Sequence, residues 1–198
     1  MIQFTATLPA PFRAVPPLGG SDFDTWRTAV CEQREPAVGV EPPTIERDLD
    51  GLVAAMKSES ELRRWFVMIP PAPYRHCVSA LGWVEAEPAG DTTSETVRAC
   101  ANEIDQADIE SAVTSSASIH ELAGRTAVIA HQFRPVSPLG PNLLESQLIE
   151  RCAGVMLDPA SQVLVRVDLT AVDLRAFDDA VTSALDILNS VQIEAALS

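Results

Sequence analysis

The side chains best suited to acid–base or nucleophilic chemistry near neutral pH are three histidines and four cysteines. His131 lies in A-V-I-A-H-Q-F, residues 127–133, and alternates with Ala127, Ile129 and Phe133. On a strand those four share one face, and the face is apolar. The favoured reading is a hydrogen-bonded core histidine rather than a general base. His120 is followed by Glu121, and His76 by Cys77. Adjacent strand residues point apart, so neither couple makes a catalytic pair. A pair assembled from distant strands, such as Cys152 with His131, is left open, though nothing in the sequence favours it. Cys31, Cys77, Cys100 and Cys152 have no C-x-x-C spacing, which speaks against a zinc site and a disulfide framework. All are expected to be free thiols. There is no G-x-S-x-G, no glycine-rich phosphate loop and no H-E-x-x-H. No catalytic residue, metal ligand or cofactor is assigned.

Recognition of a partner has better candidates. Trp65 stands in R-R-W-F, residues 63–66, and tryptophan with arginine is enriched at interface hot spots. Packing at a helix edge or in the core is the plainer reading of the same group. Trp83, in a stretch apolar on both faces, is expected in the core. The stretch from Pro135 to Gln147 is a proline-broken loop carrying Leu139, Leu143 and Leu144. A connection of about a dozen residues between strands is long, and such loops are often functional. The plainer alternative folds these leucines back over the sheet. The candidate partner-binding residues are therefore Leu139, Leu143, Leu144, Arg64 and Trp65.

These side chains need elements to hold them. In 162–170, Val163, Val165, Val167 and Leu169 fall on one face, and Leu164, Arg166, Asp168 and Thr170 on the other. That alternation predicts a half-buried strand. Beyond Asp173 the period changes. Leu174, Phe177, Val181, Ala184, Leu185 and Leu188 make one stripe on a helix of about five turns, with Asp173 as its cap. Phe177 and Val181 are expected to dock on the valine face. Upstream, Ile2–Leu8 reads as a strand stopped by Pro9 and Pro11. Ser21 is placed as the cap of a short helix striped by Phe23, Trp26 and Val30. Thr44 opens a helix through Ile45, Leu49, Leu52, Val53 and Met56, and Glu61–Ile69 reads as another. Cys77–Trp83 and the residues after it form a central strand. Thr92-x-x-Glu95 opens a helix to about Gln106. Two hairpins follow, Ser118–Leu122 with Arg125–Arg134, and Leu148–Leu157 with Gln162–Leu169. One domain over 1–198 is expected, with a Pro/Gly-rich segment at 9–43 and the long loop at 135–147.

Charge narrows the partners. The formal net charge of −14, with a single lysine, Lys57, repels phosphate backbones and anionic lipid heads. Nucleic acid is excluded as an expected partner. No stretch reaches the ~18 apolar residues of a membrane span, so no membrane insertion is expected. The N-terminal residues lack the basic and apolar regions of a signal peptide, and the expected compartment is the cytoplasm.

The order of elements, the "LAGRTAV" corner at Leu122–Val128 and the "ILNS" close at Ile187–Ser190 resemble the actinobacterial LpqN-type and DUF1795-type proteins, which share the Mog/PsbP-like fold. The resemblance implies an α+β architecture, an antiparallel sheet of about six strands with helices packed on its faces. It also implies work by binding other proteins or ligands rather than by catalysis. It carries no functional residue over. The chain lacks the lipobox and signal of the exported members, which sets a cell-envelope role in doubt. The expected function is a non-catalytic cytoplasmic binding or adaptor protein acting through protein–protein contacts. The alternative is a small hydrolase or transferase with a Cys/His centre built from distant strands.

Overall fold

The computed structural model describes residues 2–32, 43–58, 62–69, 78–99, 114–136, 147–171, 174 and 176–194. Its elements in chain order are β1 (Phe4–Thr5), β2 (Phe12–Ala14), α1 (Ser21–Glu32), α2 (Pro43–Ser58), β3 (Arg64–Met68) and β4 (Ala80–Pro88). They continue with α3 (94–99), β5 (Thr114–Leu122), β6 (Arg125–Val136), β7 (Gln147–Asp158), β8 (Val163–Ala171), α4 (Ala180–Ser190) and β9 (Gln192–Ile193). The architecture is α+β. A seven-stranded antiparallel sheet runs β2-β3-β4-β8-β7-β6-β5, and β1 pairs with β9 in a small second sheet. Among the described residues no helix is long and apolar enough to cross a membrane.

The valine alternation makes β8 the centre of the large sheet. Val163, Val165, Val167, Leu169 and Ala171 are all buried on one face, called here the inner face. Helix α4 covers it with Ala180, Ala184, Ile187 and Leu188. Gly154 of β7 admits that helix. A Cβ there would stand 2.6 Å from Ile129 Cδ1 and 3.1 Å from Leu188 Cδ1. Gly82 does the same for an aromatic ring, because Phe66 is its cross-strand neighbour and a Cβ would meet the ring at 2.4 Å. The opposite, outer face of the sheet carries two separate apolar clusters. Under α1 and α2, Phe23, Leu49, Leu52, Trp65 and Val67 pack together. At the far end, Val97 of α3 packs on Val128, Leu157 and Leu164.

Several expectations are corrected. Glu61–Ile69 is not a helix: residues 64–68 form β3, because W-F-V-M buries both of its faces. Trp65 and Val67 go to the outer cluster and Phe66 and Met68 to the inner core. The last helix is shorter than expected. Asp179, not Asp173, caps it, accepting hydrogen bonds from Thr182 N at 3.0 Å and Thr182 Oγ1 at 2.8 Å. Phe177 precedes the helix and is buried beside Phe12, 6.0 Å between ring centres, while Val181 is half-buried. Ser21 is the first helical residue of α1, and the Gly20 carbonyl accepts from Phe23 N and Asp24 N. The expected first strand is only β1, and β2 and α1 lie inside the Pro/Gly-rich 9–43 segment. Helix α3 begins one residue later than the Thr92 motif placed it: Thr93, not Thr92, caps it, with Thr93 Oγ1 accepting from Thr96 N.

Candidate functional site

Between the two outer clusters the sheet is open. The cross-strand register stacks side chains of the outer face into rows. One row runs Trp83, Asp168, Ala153; the next runs Glu85, Arg166, Val155. Ala153 is small, and an open groove of ≈ 210 Å³ forms, lined by Trp83, Ala153, Val155 and Val128 and flanked by Arg151, Arg166 and Asp168. Its position follows from short hairpin geometry. Asp158 Oδ1 accepts from Ala160 N at 3.0 Å in the β7–β8 turn, and that turn sets which residues of β7 lie beside Asp168 and Arg166.

The polar groups at the rim are matched. Arg151 donates from Nε and Nη2 to Asp168 Oδ2 at 2.9 and 2.6 Å, and Thr170 Oγ1 donates to Asp168 Oδ1 at 3.3 Å. Arg166 meets Glu87 at 2.8 Å. Arg63 meets Glu85 at 3.2 Å and lays its guanidinium 3.9 Å from the Trp83 ring centre, a cation–π contact. The half-exposed Arg151 and Arg166 can exchange these carboxylates for those of a ligand. The groove therefore offers a flat indole, a small apolar residue and guanidinium donors to whatever meets it. Among the described residues the lining contains no histidine, cysteine or serine, and its one carboxylate, Asp168, is engaged by Arg151 and Thr170.

The histidine and cysteine that could form a centre lie on the other face. His131 and Cys152 are direct cross-strand neighbours on β6 and β7. His131 Nε2 is 2.7 Å from Glu150 Oε1, and Phe133 flanks the imidazole at 5.0 Å between ring centres. Cys152 is wholly buried. Burial first, then the charges of Asp168, Glu150 and Asp179, push its thiol up to about 12. A thiol held neutral in this way is no nucleophile at neutral pH. Strand neighbourhood therefore brings the two residues together without making them a catalytic couple. Among the described residues no cluster of His, Cys, Asp and Glu is arranged to hold a metal ion.

Of the partner-binding candidates, Arg64 is exposed at the start of β3 and lies 4.4 Å over the Phe4 ring. Trp65 points to the opposite face, 8% exposed under α1 and α2. Leu139, Leu143 and Leu144 lie outside the described residues. Trp83, expected in the core, is instead the half-buried aromatic of the groove. Sequence reasoning missed Arg151, Ala153 and Val155. The available signal was the wet face of the final strand, Arg166 and Asp168, counted back across the short β7–β8 turn.

No protein family model and no curated protein matches the chain. Solved structures do. The chain is similar to LpqN of Mycobacterium tuberculosis, described as involved in cell envelope biogenesis, with 11% identity and a TM-score of 0.47 over 98% of this chain and 84% of that one. It is similar to the Ran-binding protein Mog1p of Saccharomyces cerevisiae, with 8% identity and a TM-score of 0.42 over 71% of this chain and 84% of that one.

Proposed function

We propose that this chain is a non-catalytic binding or adaptor protein that works through protein–protein contacts, and that its partner docks on the outer face of β7 and β8. The observation that carries this reading is the groove itself. The small Ala153 on β7 and the Trp83 indole on β4, with Asp168 of β8 between them, leave room for a partner side chain, and the half-exposed Arg151 and Arg166, which are already ion-paired, can turn to its carboxylates or backbone carbonyls. The buried, raised thiol of Cys152 speaks against a Cys152–His131 pair and so supports the binding reading over a Cys/His enzyme. The proposal includes a cytoplasmic setting, which fractionation of native cells checks.

The test is affinity capture from native cells with the wild-type chain and with Ala153→Arg. Substituting Ala153 fills the groove without touching the inner core. A protein retained by the wild type and lost with Ala153→Arg, at unchanged melting temperature, supports the reading. Equal capture by both chains moves the docking surface elsewhere, with the 135–147 loop and Arg64 as the next surfaces to substitute.

A further inference from the structure

The β5 edge of the large sheet is built to pair with another strand. β5 is nine residues long and pairs with β6 over its whole length without a bulge. Its sequence, T-S-S-A-S-I-H-E-L, contains no proline, lysine or arginine. Natural sheets commonly blunt a free edge with those residues, with bulges or with very short strands. None of these devices is present here. Glu121 is the only acidic group on the strand, and it is matched by Arg98.

The turn defines which backbone groups face outward. Ala123 and Gly124 both have positive φ, 52° and 82°, which makes a two-residue type I′ hairpin closed by Leu122 and Arg125. In such a hairpin the closing pair is hydrogen-bonded, and bonding alternates from there. His120, Ser118, Ser116 and Thr114 therefore turn their N–H and C=O groups to β6. Glu121, Ile119, Ala117 and Ser115 turn theirs away from the sheet. None of those four makes an outward backbone hydrogen bond to any described residue.

We propose that a second copy of this chain pairs with this edge, β5 against β5, antiparallel about a two-fold axis at Ser118. Only this register uses all four outward residues at once. Ser115 then faces Glu121 of the second copy, and Ala117 faces Ile119 of the second copy, giving about eight backbone hydrogen bonds. A shift by two residues in either direction leaves one outward residue opposite a turn or beyond the strand. No like charges oppose one another in the Ser118 register. Ile119, 50% exposed, gains an apolar neighbour in Ala117 of the second copy. The two sheets become one continuous sheet across an isologous interface. One strand edge buries less than the roughly 1,200 Å² of a standard stable interface, so the dimer is weak and reversible, with a Kd in the range of about micromolar or above. Each copy carries a net charge of −14, so added salt screens the repulsion and strengthens the dimer.

Sedimentation equilibrium over a wide concentration range, at low and at moderate salt, tests the pairing. The expected result is a monomer–dimer equilibrium that shifts toward dimer with salt. Ala117→Pro removes one outward N–H and no bond to β6, and should raise the Kd by about tenfold or more with a native circular dichroism spectrum. If the proline variant fails to fold, Ile119→Lys at the exposed position serves instead. Register is read by oxidative crosslinking. Ser118→Cys places two thiols at a non-hydrogen-bonded pair, about 4.5 Å between Cα atoms, within disulfide range. It should crosslink, whereas the wild type and Ser116→Cys should not. A monomer at every concentration and salt, a dimer untouched by both edge variants, or crosslinking by Ser116→Cys and not Ser118→Cys overturns the proposal.

Discussion

Cys152, on the inner face of the sheet, and Asp179, capping the helix that covers that face, acquire opposite chemical characters. The Cys152 thiol is raised to about 12 by burial and by the carboxylates of Asp168, Glu150 and Asp179. It should stay unalkylated by a thiol reagent at pH 8 in the native protein and react once the chain is unfolded; fast native labelling at Cys152 would contradict its burial. The sign of its effect on stability follows from the same shift. The folded thiol holds its proton above the ordinary value of 9.0, so its contribution is complete below about 9 and is lost as pH rises toward about 12. Asp179 goes the other way. Hydrogen bonds from Thr182 hold its carboxyl below the usual range. Its contribution is present above the ordinary carboxylate pKa and is lost as pH falls through the lowered one. Asp179→Ala should destabilise the fold by about 1 kcal/mol at pH 7, measured by urea denaturation, with the difference from wild type shrinking in acid.

At the scale of elements, α4 and the strand beneath it decide stability. Leu188 is fully buried against β7 and packs where Gly154 makes room. Leu188→Ala should cost about 2–5 kcal/mol through lost burial and a cavity, and Phe177→Ala about 3–5 kcal/mol. Thermal or urea unfolding checks both, and unchanged midpoints would mean that these side chains are not core. Gly154→Ala should also destabilise, because its Cβ meets Ile129, Val167 and Leu188 together. The elements differ in how far the sequence revealed them. Val163–Leu169 alternates its valines with Leu164, Arg166 and Asp168, so its strand was legible, though the second face proves more buried than its polar residues suggest: Leu164 packs under α3 and Asp168 is buried. β3 was not, because Trp65, Phe66, Val67 and Met68 are all buried and the two-residue period disappears. Helix α4 was legible as a stripe, but its start was not. Asp178 and Asp179 lie where the stripe still seemed to run, and the Asp179–Thr182 bonds that stop it appear only in three dimensions.

At the scale of the whole molecule, the sheet separates an inner face covered by α4 from an outer face with a gap between its two apolar clusters. The groove was the least legible feature. It depends on cross-strand register, which the short β7–β8 turn fixes but which propensity does not report. The β6–β7 register that sets His131 beside Cys152 was illegible for a different reason: the long 137–146 connection leaves it free in any sequence argument. Both outer-face acids of β4, Glu85 and Glu87, meet arginines; the Arg63–Glu85 pair is largely buried, while the Arg166–Glu87 pair is partly exposed and sensitive to salt. Asp168→Asn should loosen the hold on Arg151 and, because Asp168 is buried, lower the unfolding midpoint as well as change partner affinity; a melting temperature equal to wild type would contradict its burial.

The most direct test of the central claim, that the outer groove is a docking surface and not a reaction site, is quantitative capture with the wild-type chain and Ala153→Arg compared side by side. A protein bound in near-stoichiometric amount by the wild type and at least about tenfold less by Ala153→Arg, with identical unfolding midpoints, is the predicted result. The same protein bound equally by both folded chains would contradict it.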